Sequence, residues 1–125
     1  MSQQVNGDHK SIVAGEDLSS HQFGIVQLDA TGQVEKGEGA TDLLVGVLQN
    51  TPESGQMATV KIGGTAKVKI GAGGGIAVGA WVTSDASGLG LATTTDTNIV
   101  IGRALEAGDA GDIIEVQLGV FTLSA

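Results

Sequence analysis

The chain has 125 residues, which favours one compact domain or two very small ones, and its 14 acidic and 6 basic side chains give a net charge of −8. This charge disfavours direct contact with nucleic acid, and the lack of cysteine excludes disulfides and thiolate chemistry. The sequence shows no secretory signal pattern, and no apolar run approaches the roughly 18 residues of a membrane span.

The N-terminal segment differs in character from the rest of the chain. Residues 1–20 are mostly polar and predict an extended arm, with one short edge strand at 11–14. From there the pattern indicates a single β domain over 21–125. Short, apolar, β-branched runs at 23–29 and 42–49 predict its first two strands.

The stretch 57–71 alternates between apolar residues and lysines, as a half-exposed strand does. The pair Gly63-Gly64 interrupts it and predicts either a hairpin or a kink. The lysines Lys61, Lys67 and Lys69 indicate a solvated strand face, an edge protected against pairing, or a complement to an acidic partner.

Three further strands are predicted at 76–85, 97–106 and 113–123. No segment combines a helical period with capping residues. The chain is therefore predicted to be all-β, with Val, Ile, Leu and Ala filling a closely packed core, since it holds only three aromatic residues.

An internal repeat becomes visible when the chain is shifted by 56 residues without gaps. The shift places Asp29 on Asp85, Gly32 on Gly88 and Gly46 on Gly102, and the apolar strands coincide as well. Glycine-rich β sequences match partly by chance, but matched turns together with matched strands favour a duplication. Halves of about 15–63 and 71–119 predict one small barrel or sandwich with approximate internal two-fold symmetry.

Residues that carry chemistry are sparse. His9 and His21 have no triad or metal-ligand grouping around them, and "GAGGG" at 71–75 lacks the ending of a phosphate loop. A weak cation site at Asp109 and Asp112, with Glu53 as loop partner, lacks calcium-loop spacing. The sequence therefore predicts no enzyme, no cofactor and no metal.

Trp81 departs from the repeat, because its counterpart Ile25 is a core-type residue. It is interpreted either as a core residue at the end of a barrel or as an anchor of an interface, where Trp is enriched. Phe121 near the C-terminus carries the same two interpretations.

Two stretches carry a resemblance to a known family. "GIVQLDATGQVEKGEGATDLLVGVLQ" followed by "ATVKIGGTAKV", and the later run "GRALEAGDAGDIIEVQL", resemble the head decoration (capsid cement) proteins of tailed bacteriophages. The resemblance covers about residues 12–120. It implies a virion protein on the capsid exterior that binds the major capsid protein, commonly as a homotrimer at three-fold sites, and stabilises the head shell.

On this view the binding residues lie where the repeat fails, in the arm and near the two late aromatic residues. The expected capsid or oligomer interface residues are Val5, His9, Ile12, Val13, Trp81 and Phe121. The alternative is a non-enzymatic module that binds a glycan or a cation on a phage tail or cell surface, which needs a concave site with converging polar groups.

Overall fold

The computed structural model describes residues 9–95 and 97–122, without the side chain of Phe121, and these residues form ten strands in two antiparallel sheets. The first sheet comprises β1 His9–Val13, β2 Ile25–Leu28, β3 Val34–Lys36, β4 Leu44–Leu48 and β5 Met57–Lys61. The second sheet comprises β6 Thr65–Lys69, β7 Trp81–Ser84, β8 Gly90–Thr93, β9 Ile99–Ala104 and β10 Ile113–Thr122. The described part of the chain contains no helix.

The two sheets have the same topology, with strand orders β1-β5-β4-β2-β3 and β6-β10-β9-β7-β8. Adding 56 to the first residue of β1, β2 and β5 gives 65, 81 and 113, where β6, β7 and β10 begin. The prediction of an all-β fold built from two similar halves is thus confirmed. We call the first sheet with its loops unit 1 and the second unit 2.

Each unit curls until its outer strands approach each other. A parallel bridge joins Ala14 to Val34 in unit 1, and the same bridge joins Ile70 to Gly90 in unit 2. Each unit is therefore a small, nearly closed barrel, which leaves little unpaired sheet edge.

The strand predictions need three corrections. The stretch 57–71 is neither a hairpin nor a kinked strand, because Gly63-Gly64 connects β5 of one sheet to β6 of the other. Within 76–85 only Trp81–Ser84 is a strand. The short strands β3 and β8 were not predicted, because three or four residues between turns give too little alternation to recognise.

The segment 9–20 packs onto unit 1. The edge strand predicted at 11–14 is β1, which pairs antiparallel with β5, and Leu18 beyond it is fully buried. Residues 1–8 lie outside the described residues, and their role as an arm stays a prediction.

The duplicated aspartates hold equivalent turns. The Oδ1 atom of Asp29 accepts hydrogen bonds from the backbone N–H groups of Thr31 and Gln33 at 2.8 and 3.0 Å. Asp85 does the same for Ser87 and Leu89 at 2.8 and 2.9 Å. Each carboxylate accepts hydrogen bonds from backbone N–H groups that have no carbonyl partner within the turn. The two aspartates therefore stabilise the fold.

Two clusters of aliphatic side chains form the interior. One lies within unit 1 and contains Ala14, Leu18, Val26, Val34, Leu48, Ala58 and Val60. The other fills unit 2 and also includes Ile25, Leu44 and Val47 of unit 1. The outward side of β2 and β4 is therefore covered by unit 2, and this contact joins the two halves.

Backbone hydrogen bonds cross the same junction. The N–H of Ile25 donates to the carbonyl of Gly88 at 2.7 Å, and the N–H of Lys69 donates to the carbonyl of Phe23 at 3.0 Å. These bonds fix the orientation of the units, whereas the aliphatic side chains supply most of the stabilisation.

A buried histidine lies at this junction. His21 is 5 % exposed, its Nε2 lies 3.0 Å from the carbonyl oxygen of Ile25, and its ring stands against Gly88 of unit 2. Burial lowers the pKa of His21, and the nearby Lys36 lowers it further. The folded chain therefore favours the neutral ring, which donates from Nε2 to the carbonyl.

Glycine is required where neighbouring strands approach most closely. A Cβ on Gly46 would collide with the carbonyl oxygen of Lys61, and a Cβ on Gly102 would collide with that of Gln117.

We expect Gly46→Ala to lower the free energy of unfolding by about 1–3 kcal/mol, since the strands must separate. Urea denaturation measures this. Gly39→Ala, whose Cβ would have space, is the control, and equal losses in both variants would contradict the explanation.

The repeat offers a matched pair of residues, of which one is buried in the junction and the other lies outside it. Val47 is fully buried against unit 2, whereas its counterpart Arg103 is exposed. We expect Val47→Ala to cost about 2–3 kcal/mol of unfolding free energy through the cavity it leaves. Arg103→Ala should cost less than about 1 kcal/mol. Denaturation curves of both variants test this, and similar costs would show that the junction contributes little.

The burial of His21 predicts a pH dependence. Because its folded pKa is lowered, the unfolded chain binds more protons as the pH falls through the unfolded value of 6.5, so stability declines there. We expect a lower Tm at about pH 5 than at about pH 7.5, and a smaller difference in His21→Gln. His9→Asn, on an exposed residue, should keep the wild-type difference. An unchanged difference in His21→Gln would contradict this assignment.

Candidate functional site

Trp81 lies on the outward side of β7, at the position that Ile25 holds on β2. Ile25 is fully buried beneath unit 2, whereas Trp81 is half-exposed. Trp81 is therefore not a fully buried core residue, and its role as an interface anchor stays a prediction.

Arg103 completes the aromatic site. It pairs with Trp81 across β7 and β9, and its guanidinium carbon stands 4.1 Å from the centre of the indole ring. Such a contact is worth about 0.5–1 kcal/mol when exposed and holds both side chains in one geometry. The Trp81 side chain is thus presented as a flat, ordered surface.

Two shallow cavities flank the ring. One of 260 Å³ is lined by Trp81, Gly102, Arg103, Gln117, Leu118 and Gly119. The other of 300 Å³ is lined by Gly79, Ala80, Trp81, Ala92, Thr93 and Thr94. We call the residues around these two cavities the Trp81 face. A half-exposed aromatic ring between two shallow cavities suits a protein partner better than a small molecule, which needs a deeper enclosure.

A second surface lies mainly on unit 1. An apolar groove of 460 Å³ is lined by Lys10, Ile12, Leu28, Leu44, Val45 and Ile62, together with Val120 of β10 in unit 2. We call it the Ile12 groove. The lining is aliphatic apart from Lys10, so the groove offers apolar surface to a partner.

The predicted interface residues fall in three places. Trp81 is on the second sheet, whereas His9, Ile12 and Val13 are on β1 of the first. His9 is exposed, Ile12 and Val13 are half-buried, and Ile12 lines the groove. Val5 lies outside the described residues, as does the side chain of Phe121, whose backbone pairs with that of Val100 within β10 and β9. Among the described side chains, Trp81 and Ile12 line different cavities, and the role of all six residues as an interface stays a prediction.

Sequence reasoning missed the other residues of both surfaces. Arg103 could have been found, because the shift of 56 residues places it on the apolar Val47. Leu28, Val45 and Ile62 carried no such signal, since aliphatic residues on strands are equally typical of a core.

The described residues carry little that suits metal chemistry. Within 9–95 and 97–122, no three or more His, Cys, Asp or Glu side chains are grouped to hold an ion. Asp112 instead closes a turn by accepting from the N–H of Asp109 at 2.9 Å, and Gln56 accepts from Glu53 at the same point of unit 1. Glu53 thus holds the position equivalent to Asp109 in the other unit. Among the described residues, no helix has the length and apolarity to cross a bilayer.

Comparison with known proteins agrees with this geometry. The solved structure of the N base of head fiber gp8.5 from bacteriophage phi29 matches with a TM-score of 0.67 and 15 % identity, covering 94 % of this chain and 98 % of that one. At this identity the likeness shows the fold. No curated protein matches the sequence. The model of the phage cement protein family matches residues 6–120. The chain therefore belongs to the phage cement proteins, a family of structural, capsid-associated phage proteins.

Proposed function

We propose that this chain binds the outer surface of an assembled phage capsid and stabilises the head shell, as a homotrimer at three-fold sites. The observation that carries the proposal is the family match, which spans nearly the whole chain. The structural likeness to the base of a head fiber supports it, because that protein has the same fold.

The surface chemistry supports a binding role rather than catalysis. The Trp81 face and the Ile12 groove expose aromatic and aliphatic side chains on a chain whose net charge of −8 otherwise keeps it soluble. Contacts of this kind bury apolar area and need neither a cofactor nor a metal. The proposed partner is the major capsid protein, and the proposed mechanism is a clamp between neighbouring capsid subunits.

The N-terminal residues are the proposed contact with the shell. The strand β1 is the first strand in the order of its sheet, and its residues His9, Lys10 and Ser11 are exposed, so residues 1–8 precede a surface strand in the sequence. A segment that becomes ordered on binding covers a wide surface at modest affinity per unit area. Val5 and His9 are the proposed shell contacts within and beside it.

A binding experiment tests the proposal. The purified chain is mixed with capsids of its phage assembled without it, and co-sedimentation and the temperature of shell disruption are measured. We expect saturable binding and a higher disruption temperature, because each bound copy links neighbouring subunits. Deleting residues 1–8 should weaken binding at least about tenfold, since the arm supplies the shell contact.

The controls separate folding from binding. The deletion removes none of the described members of either core cluster, so its circular dichroism and Tm should match those of the full chain. Capsids that already carry the protein should bind no more of it. No binding to bare capsids at about 10 µM would reject the proposed function, and full binding by the deletion variant would reject the role of the arm.

A further inference from the structure

The two units contact each other through different surfaces. Gly88 of unit 2 stands against His21 and the carbonyl of Gly37 in unit 1. At its counterpart Gly32, no described atom lies within 4 Å of the point where a Cβ would stand. Unit 1 therefore contributes the outward side of β2 and β4 to the junction. Unit 2 contributes a surface other than the corresponding outward side of β7 and β9.

That second surface can be identified by its burial. The cluster that holds Ile25 and Val47 also contains Ala66, Val68 and Ile101 of unit 2. Their counterparts on unit 1 are Lys10, Ile12 and Val45, which are exposed or half-buried and line the Ile12 groove. The Ile12 groove is thus the surface of unit 1 that corresponds to the one unit 2 uses to hold unit 1.

The same correspondence holds for the other side of the contact. Ile25 and Val47 are buried in the junction, and their counterparts Trp81 and Arg103 form the Trp81 face on unit 2. Each molecule therefore contains two pairs of corresponding surfaces. One pair is joined in the junction between the units, and the other pair, the Trp81 face and the Ile12 groove, is exposed.

We infer that the Trp81 face of one copy docks into the Ile12 groove of a second copy, repeating between chains the contact that joins the units within a chain. The residue types agree with this partner. The permanent junction uses Ile25 and Val47, whereas Trp81 and Arg103 are types enriched in interfaces between separate proteins. The half-buried aliphatic side chains Ile12, Val45 and Ile62 at the groove supply apolar area for burial.

A contact between two different surfaces repeats from copy to copy and closes into a ring when the rotation allows. The proposed function requires a ring of three copies. The inference rests on the proposed function for this number of copies only. The two surfaces themselves are identified from the repeat and from the burial of its residues, independently of that function.

Complementing variants test the inference. Trp81→Glu alters the Trp81 face and Val45→Glu alters the Ile12 groove, and light scattering after size exclusion measures the mass of each protein at about 100 µM. We expect a wild-type ring and at least tenfold weaker association in each variant. An equimolar mixture should form a heterodimer and nothing larger, because only one intact pair of surfaces remains.

Controls keep the result interpretable. Leu105→Glu places the same charge on an exposed aliphatic residue outside both surfaces and should associate like the wild type. If either test variant fails to fold by circular dichroism, the exposed positions Arg103→Glu and Lys10→Glu replace the pair.

Two results would overturn the inference: a monomeric wild type at this concentration, or a mixture that stays monomeric although the single variants lost association. The capsid assay separates this outcome from failure of the proposed function. A monomeric chain that still binds and stabilises capsids would refute the head-to-tail contact alone. A ring that ignores capsids would refute the function alone.

Discussion

The burial of one aliphatic surface of unit 1 under unit 2 is the contact on which the molecule depends. The core cluster within unit 1 contains seven buried aliphatic side chains among the described residues. So small a core gives marginal stability by itself. Placing Ile25, Leu44 and Val47 against the second barrel extends the core across both units. The two barrels therefore stabilise each other, although their sheets share no strand.

Duplication explains which residues are scaffold and which are available for function. Where both copies keep a residue, a local requirement explains it: Asp29 and Asp85 hold turns, and Gly46 and Gly102 admit a neighbouring carbonyl. Where the copies differ, the two equivalent positions have different surroundings. The replacement of Ile25 by Trp81 marks such a place, because the first is covered and the second faces outward.

Much of this architecture could be predicted from sequence, since a gapless repeat with alternating apolar residues specifies strands and turns locally. The site could be predicted only in part. Trp81 was identified because a large ring departs from the pattern, but the Ile12 groove depends on which of two equivalent aliphatic surfaces is covered. That choice is made by packing between units, and no local pattern encodes it. The two short strands β3 and β8 were missed for a related reason, since pairing rather than propensity creates them.

The connection between the barrels has a consequence of its own. Only three residues, Ile62 to Gly64, separate β5 from β6, so the second barrel is always held near the first at a local concentration in the millimolar range. The contact within the chain is therefore insensitive to dilution, and it forms before any encounter between molecules. A contact between separate molecules has no such tether and depends on their concentration.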